Sequence, residues 1–157
     1  MSLDIYELMQ NPALGTCCIS KFIESYSSIK GRGPKLPLTM VVLPIVFHRQ
    51  SVDILQRRAL SGGLLNAKVQ NPTLGAGLQE RMVEMTDQTL KSVSMGLTLG
   101  LFGYNPVTCD LIALRAKIEG PKFPAAVRPL IWTADRLGRW MAEMQIPTFC
   151  SHLNITF

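Results

Sequence analysis

The chain has 157 residues, of which 47% are hydrophobic and only 17% charged, against about 25% charged in an average globular chain. This length and a mean hydropathy of +0.20 suffice for one domain with a real core, and they exclude disordered, collagen-like and low-complexity classes. A net charge of +5 on so few charged side chains predicts a subunit whose uncharged surface a partner covers, in preference to a solitary monomer with a polar skin.

The first ten residues lack the basic and apolar regions of a secretory signal. The cysteines, Cys17, Cys18, Cys109 and Cys150, have no C-x-x-C spacing, which predicts reduced thiols in the cytoplasm. Asn11-Pro12 is a helix start, because Asn caps well and Pro needs no donor at the first position. Leu14, Cys18, Phe22 and Tyr26 then recur every fourth residue, predicting a helix from Pro12 to about Ser27. Two glycines and a proline make Ile29 to Lys35 a flexible loop.

Leu36 to Phe47 is an apolar run of about a dozen residues, short of the roughly 20 that cross a bilayer. Carrying Pro37 and Pro44, it predicts a short buried helix kinked or stopped near Pro44. A second short helix is expected from about Ser51 to Ala59, with Ser51 as cap and Asp53 in its first turn. Gly62-Gly63 breaks it, and Leu64 to Val69 is a short helix or an irregular turn.

Asn71-Pro72 repeats the helix-start device, although NPTLG after NPALG is too little for an internal repeat. The helix beyond carries Leu78, Met82, Met85, Thr89, Val93 and Leu97 on one face. Gly103 to Pro106 is turn chemistry, predicting a hairpin over about 100–114 with strands near 100–103 and 108–114. After a basic linker, 115–124, a helix over 125–144 has Leu130, Ala134, Leu137, Met141 and Met144 on one stripe and Pro129 near its start. The tail from Thr148 to Phe157 reads as strand-like, with its end buried. The expected fold is mainly α with a small β-hairpin, one helical domain over 1–157, winged-helix-like in its helix-then-hairpin order.

Catalytic constellations are sparse. His48 and His152 are the only histidines, and no metal-spaced cluster, H-E-x-x-H or P-loop motif occurs. No catalytic residue, metal or cofactor is therefore assigned, and a non-enzymatic chain is expected. Cys150 and His152 share a face if the tail is a strand, but no third group orients them. Between Ser28 and Gln70, Lys30, Arg32, Lys35, Arg49, Arg57, Arg58 and Lys68 face only Asp53. Of these, Lys30, Arg32, Lys35, Arg57 and Arg58 are candidates to touch DNA or an acidic partner, the milder reading being a solvated face. Trp132 and Trp140, roughly 80° apart on one helix, are candidate interface anchors or core residues.

Three blocks, taken in order, resemble a known family. They are Asn11-Pro-Ala-Leu with Phe22-Ile-Glu-Ser-Tyr26, then Leu36-Pro-Leu-Thr-Met-Val-Val-Leu-Pro-Ile-Val-Phe-His48, then Arg136-Leu-Gly-Arg-Trp140 with the closing tail. Together they resemble the small middle component of three-component ABC systems, the Lamassu-type bacterial defence complexes. The resemblance implies a non-enzymatic adaptor between an SMC-like ABC ATPase and an effector, often a nuclease, held silent until foreign DNA is sensed. It implies DNA as a partner, directly or through the complex, and no membrane. The competing function is a winged-helix DNA-binding regulator, against which Glu80, Glu84 and Asp87 on the helix before the hairpin would repel phosphate. A cysteine hydrolase built on Cys150 stands further behind.

Overall fold

Asn11 and Pro12 begin the helix on which the other elements pack. Asn11 has extended backbone (φ −78°, ψ 111°), its Oδ1 accepts the Ala13 amide at 2.9 Å, and Pro12 follows inside the helix. In the computed structural model, which describes residues 5–57, 63–114 and 122–157, a short α1 (Ile5–Gln10) leads into α2 (Pro12–Lys30). α2 runs past its expected end at Ser27 and closes on Gly31 (φ 76°), whose amide donates to Ser27 O at 2.9 Å. Its predicted stripe holds: Leu14, Cys18, Ile19, Phe22, Ile23 and Tyr26 are all buried.

Residues 31–35 are a loop laid along the hairpin. The Leu111 amide donates to Pro34 O (2.8 Å) and the Leu36 amide to Cys109 O (3.0 Å). The apolar run then forms a 3₁₀ turn (Leu36–Val41) and α3 (Val42–Val46), with every residue from Val41 to Phe47 buried. Pro44 sits in the first turn of α3, where its missing donor has no carbonyl to serve.

The next helix, α4 (Arg49–Gln56), starts earlier than the expected Ser51. Ser51 is a buried residue inside the first turn, and its Oγ meets His48 Nδ1 at 2.7 Å. The backbone cap position is therefore His48, without a side-chain cap to the backbone. Residues 58 and 59 of the expected helix lie outside the described residues. α5 (Gly63–Gln70) is the short helix expected near Leu64–Val69.

Asn71 does not start a helix. Its amide and its Nδ2 both donate to Ala67 O, so it closes α5. Turns follow through Gly75 (φ 93°) and Gly77 (φ 70°), and α6 (Leu78–Glu84) begins only after them. The expected long helix is divided at Met85 (φ −97°, ψ 8°) into α6 and α7 (Thr86–Thr98). Leu78, Met82, Thr89 and Val93 face inward as the periodicity predicts, whereas Leu97 is exposed.

α7 passes through Gly100 into an antiparallel hairpin, β1 (Phe102–Asn105) and β2 (Asp110–Ala113), in the register Phe102↔Ala113 and Tyr104↔Leu111. The helix-then-hairpin order is as expected. Phe102 and Leu111 point into the core. Residues 115–121 of the predicted linker lie outside the described residues.

α8 (Arg128–Glu143) carries Pro129 in its first turn. It runs parallel to α2: Val127 and Leu14 line one recess, and further along Ser25 Oγ donates to Asp135 Oδ1 at 2.5 Å. The helices nearly touch at Gly138, where an added Cβ would stand 2.6 Å from Phe22 O and 3.1 Å from Ser25 Cβ. α2 approaches α7 as closely on its other flank, where a Cβ on Gly15 would stand 2.3 Å from Ser92 Oγ.

The tail corrects the strand expectation. Ile146–Leu153 is a helix, α9, with Pro147 in its first turn and a left-handed Asn154 (φ 55°) closing it. The apolar residues Ile146, Phe149, Cys150 and Leu153 have helical spacing, and Pro147 starts a helix instead of only ending the one before. The end is tied down as expected for Ile155, which is buried, while Phe157 stays half-exposed and stacks on Phe149 at 6.5 Å.

Two stability outcomes follow. Alanine at an exposed helical glycine gains about 1 kcal/mol, but Gly138→Ala should cost about 1–3 kcal/mol, because Phe22 O is backbone and α2 must shift. Urea unfolding of the two proteins checks it. Burial, and then the charge of Arg81, hold His48 below the usual histidine value of 6.5. The unfolded chain therefore takes up this proton first, and stability should fall as pH drops from above 6.5 through the folded-state value. His48→Gln should flatten that part of the stability–pH curve.

Candidate interaction surface

The groups that could support nucleophilic chemistry are separated. With the tail helical, Cys150 and His152 are two residues apart on a helix, roughly 200° around its axis, so they do not pair. Burial pushes the Cys150 and Cys17 thiols up, and raises buried Cys18 further with help from Cys17. A raised thiol carries less of the nucleophilic thiolate. Among the described residues no cluster of three His, Cys, Asp or Glu side chains could hold a metal ion.

The basic run of the sequence is divided by the fold. Lys35 Nζ donates to Thr108 O (2.7 Å) and meets Asp110 Oδ1 at 3.2 Å, fastening the 31–35 loop to the hairpin. Lys68 Nζ donates to Pro72 O (2.6 Å) and Leu74 O (2.7 Å), shaping the turn after α5. Lys30 and Arg32 are exposed where α2 ends, and Arg57 is exposed where α4 ends. These two groups stand at the ends of different helices, both of which pack against α8. Arg58 lies outside the described residues.

The two tryptophans divide in the same way. Trp140 is 2% exposed and belongs to the core, whereas Trp132 is 49% exposed on the outer side of α8. The core alternative holds for Trp140, and Trp132 is left exposed. Of the two tryptophans, Trp132 is the one that a partner could reach.

Trp132 borders a concave surface. Arg136 Nη1 donates to Leu55 O (2.8 Å) and Gln56 O (3.0 Å), clipping the end of α4 to the middle of α8. Beside this clip the two helices border an apolar recess of about 270 Å³, lined by Leu14, Val46, Val52, Val127 and Leu130 with Arg49 and Asp53. Gln56 joins this recess to a second of about 590 Å³, walled by Trp132, Asp135 and Arg136. Asp135 is held by Ser25 and by Arg139 Nε at 3.2 Å, so that wall is rigid.

The result is a concave surface of two recesses that meet at Gln56, one apolar and the other walled by polar side chains and Trp132. Such a surface suits an apolar helix face or a chain of bulky side chains. The sequence missed it because the adjacency of α4 and α8 joins residues about eighty positions apart. A weak signal was present in α4 itself, where Val52 and Leu55 face inward and Arg49, Gln50 and Asp53 outward.

A second apolar area surrounds the hairpin, where Leu99, Val107, Ile112 and Leu114 are exposed. These residues and Trp132 give physical form to the uncovered surface that the charge-poor composition predicts. Acrylamide quenching checks the tryptophan assignment. Trp132→Phe should remove the readily quenched part of the emission, and Trp140→Phe the protected part.

Comparison with known proteins places this architecture. No curated protein and no solved structure matches the chain. A family model does match it, over residues 2–157. The chain belongs to the family of that model, the ABC-three component (ABC-3C) system Middle Component 3.

Proposed function

We propose that this chain is the non-catalytic adaptor of a Lamassu-type bacterial defence complex. It joins an SMC-like ABC ATPase to an effector, often a nuclease, and helps hold that effector inactive until the ATPase senses foreign DNA. The observation that carries this reading is the family match over nearly the whole chain, which makes the protein a middle component of a multi-part system. A middle component works through surfaces, and this chain presents a groove with an exposed tryptophan and apolar residues around its hairpin. The separation of Cys150 from His152 supports a role without catalysis of its own. No single helix among the described residues is long and apolar enough to cross a membrane, and the proposed place of action is the bacterial cytoplasm.

DNA is proposed as a partner of the complex more than of this subunit. Lys35, one of the candidate phosphate contacts, is engaged with Asp110 and a backbone carbonyl. The outward side of α6 and α7 bears exposed Glu80, Glu84 and Asp87, which oppose entry of that helix pair into a groove of DNA.

The test is co-purification of the tagged chain with the products of its neighbouring genes, followed by light scattering on a sizing column. A stable assembly containing a large ATPase is the expected result. A monomer or homodimer that ignores those proteins would sink the adaptor reading. Salt-sensitive DNA binding by the isolated chain would revive the regulator.

A further inference from the structure

The apolar recess beside α4 is rimmed by side chains that have nothing to bond within the described chain. Arg49, Asp53 and Gln56 all line it, and their spacing of i, i+4 and i+7 puts them on one stripe of α4. Arg49 and Asp53 are exposed, with no hydrogen-bond or ion-pair partner among the described residues. In Gln56 the backbone carbonyl is engaged by Arg136, while the side chain has no partner among the described residues. Beside this stripe Val52 is buried and lines the same recess.

A guanidinium donates hydrogen bonds, a carboxylate accepts them, and an amide does both. Since the charges of Arg49 and Asp53 cancel, the rim complements an occupant that offers donors and acceptors together and has no net charge. An extended peptide backbone is such a group, because its amides and carbonyls need partners once water is displaced. A helix has already bonded these groups internally and would meet the rim through its side chains alone. The spacing agrees with the extended form. From Arg49 to Asp53 α4 rises about 6 Å, close to the roughly 6.6 Å at which an extended chain repeats the groups on one side.

The size of the recess indicates what accompanies the backbone. Pockets that enclose a drug-sized ligand hold roughly 300–1,000 Å³, and this one holds about 270 Å³. With Leu14, Val46, Val52, Val127 and Leu130 in its wall, it suits a bulky apolar side chain.

We propose that this recess seats an extended, uncharged segment of another subunit of the complex. A leucine, methionine or phenylalanine of that segment fills the recess, and its backbone lies along α4. There a carbonyl accepts from Arg49, an amide donates to Asp53, and Gln56 bonds the following peptide group. The proposal rests on the adaptor reading and adds to it a docking surface and the chemistry of its occupant.

The experiment uses the complex co-purified with the neighbouring-gene products, with the photo-cross-linker p-benzoylphenylalanine in place of Gln56. Irradiation should join it to a segment of another subunit that carries a bulky apolar residue. A synthetic peptide of the captured segment should then bind the free chain without gaining helical circular dichroism. Ala126→Trp, at an exposed position of the recess wall, obstructs the recess, and Arg49→Ala with Asp53→Ala removes the backbone contacts. Each should weaken peptide binding about tenfold or more. Both variants change exposed side chains and should keep the parent's thermal midpoint, which separates lost docking from lost folding. A complex without a cross-link at this position, a peptide that binds as a helix, or one that tolerates both variants overturns this docking site and leaves the adaptor reading standing. Cross-linking between two copies of this chain identifies a second copy as the occupant and also overturns it. Failure to form any complex removes both readings.

Discussion

The close approach of α8 to α2 at Gly138 is the contact on which the rest of the structure depends. α2 is covered on two flanks, by α8 through Gly138 and by α7 through its own Gly15, and at each contact a missing side chain lets helices approach beyond ordinary packing distance. This brings Phe22, Ile23, Leu137 and Met141 into one buried cluster with the 36–47 segment beneath them. A kink-prone segment with two prolines is tolerable there because its backbone is surrounded, and Pro44 O is satisfied by Arg81 Nε at 3.1 Å.

The same arrangement explains how a charge-poor chain uses its cations. Arg81 joins Pro44 O to Ala76 O, Arg136 closes the end of α4, Lys35 holds the loop to the hairpin and Lys68 shapes the turn after α5. Each places a positive charge on backbone carbonyls that no helix or strand would otherwise satisfy. These side chains act as clips between segments, which leaves the cations at helix ends, Arg49, Arg57 and Arg128 among them, for the surface. Sequence position alone does not separate the two uses, because Lys35 and Lys68 fall in the same basic stretch as Arg49 and Arg57.

In the proposed adaptor role the surface carries the function. Arg136 fixes the end of α4 to α8 beside the two recesses. The groove is therefore preorganised, and a partner loses little to ordering it. Trp132 and the apolar residues of the hairpin are the opposite face of the low charge content, since surface that lacks charge in a small domain calls for cover.

The amino-acid order by itself determined the local matters: where α2 starts, which of its residues face inward, the buried character of 36–47, the hairpin after α7 and the stripe of α8. Each of these depends on neighbours within a few positions, through caps, turn residues or periodicity. Asn71-Pro72 and the tail show the limit of that reasoning. Asn71 has the chemistry of a cap but its side chain was taken by Ala67 O, and the β-favouring tail became α9 because Phe149 and Leu153 could be buried on one helical face. Only the tertiary structure decided which tryptophan is core, which lysines are clips and which helices share a groove. Those outcomes depend on segments distant in sequence meeting across Gly138 and Arg136, and the energy of such contacts belongs to pairs of segments that local patterns do not encode.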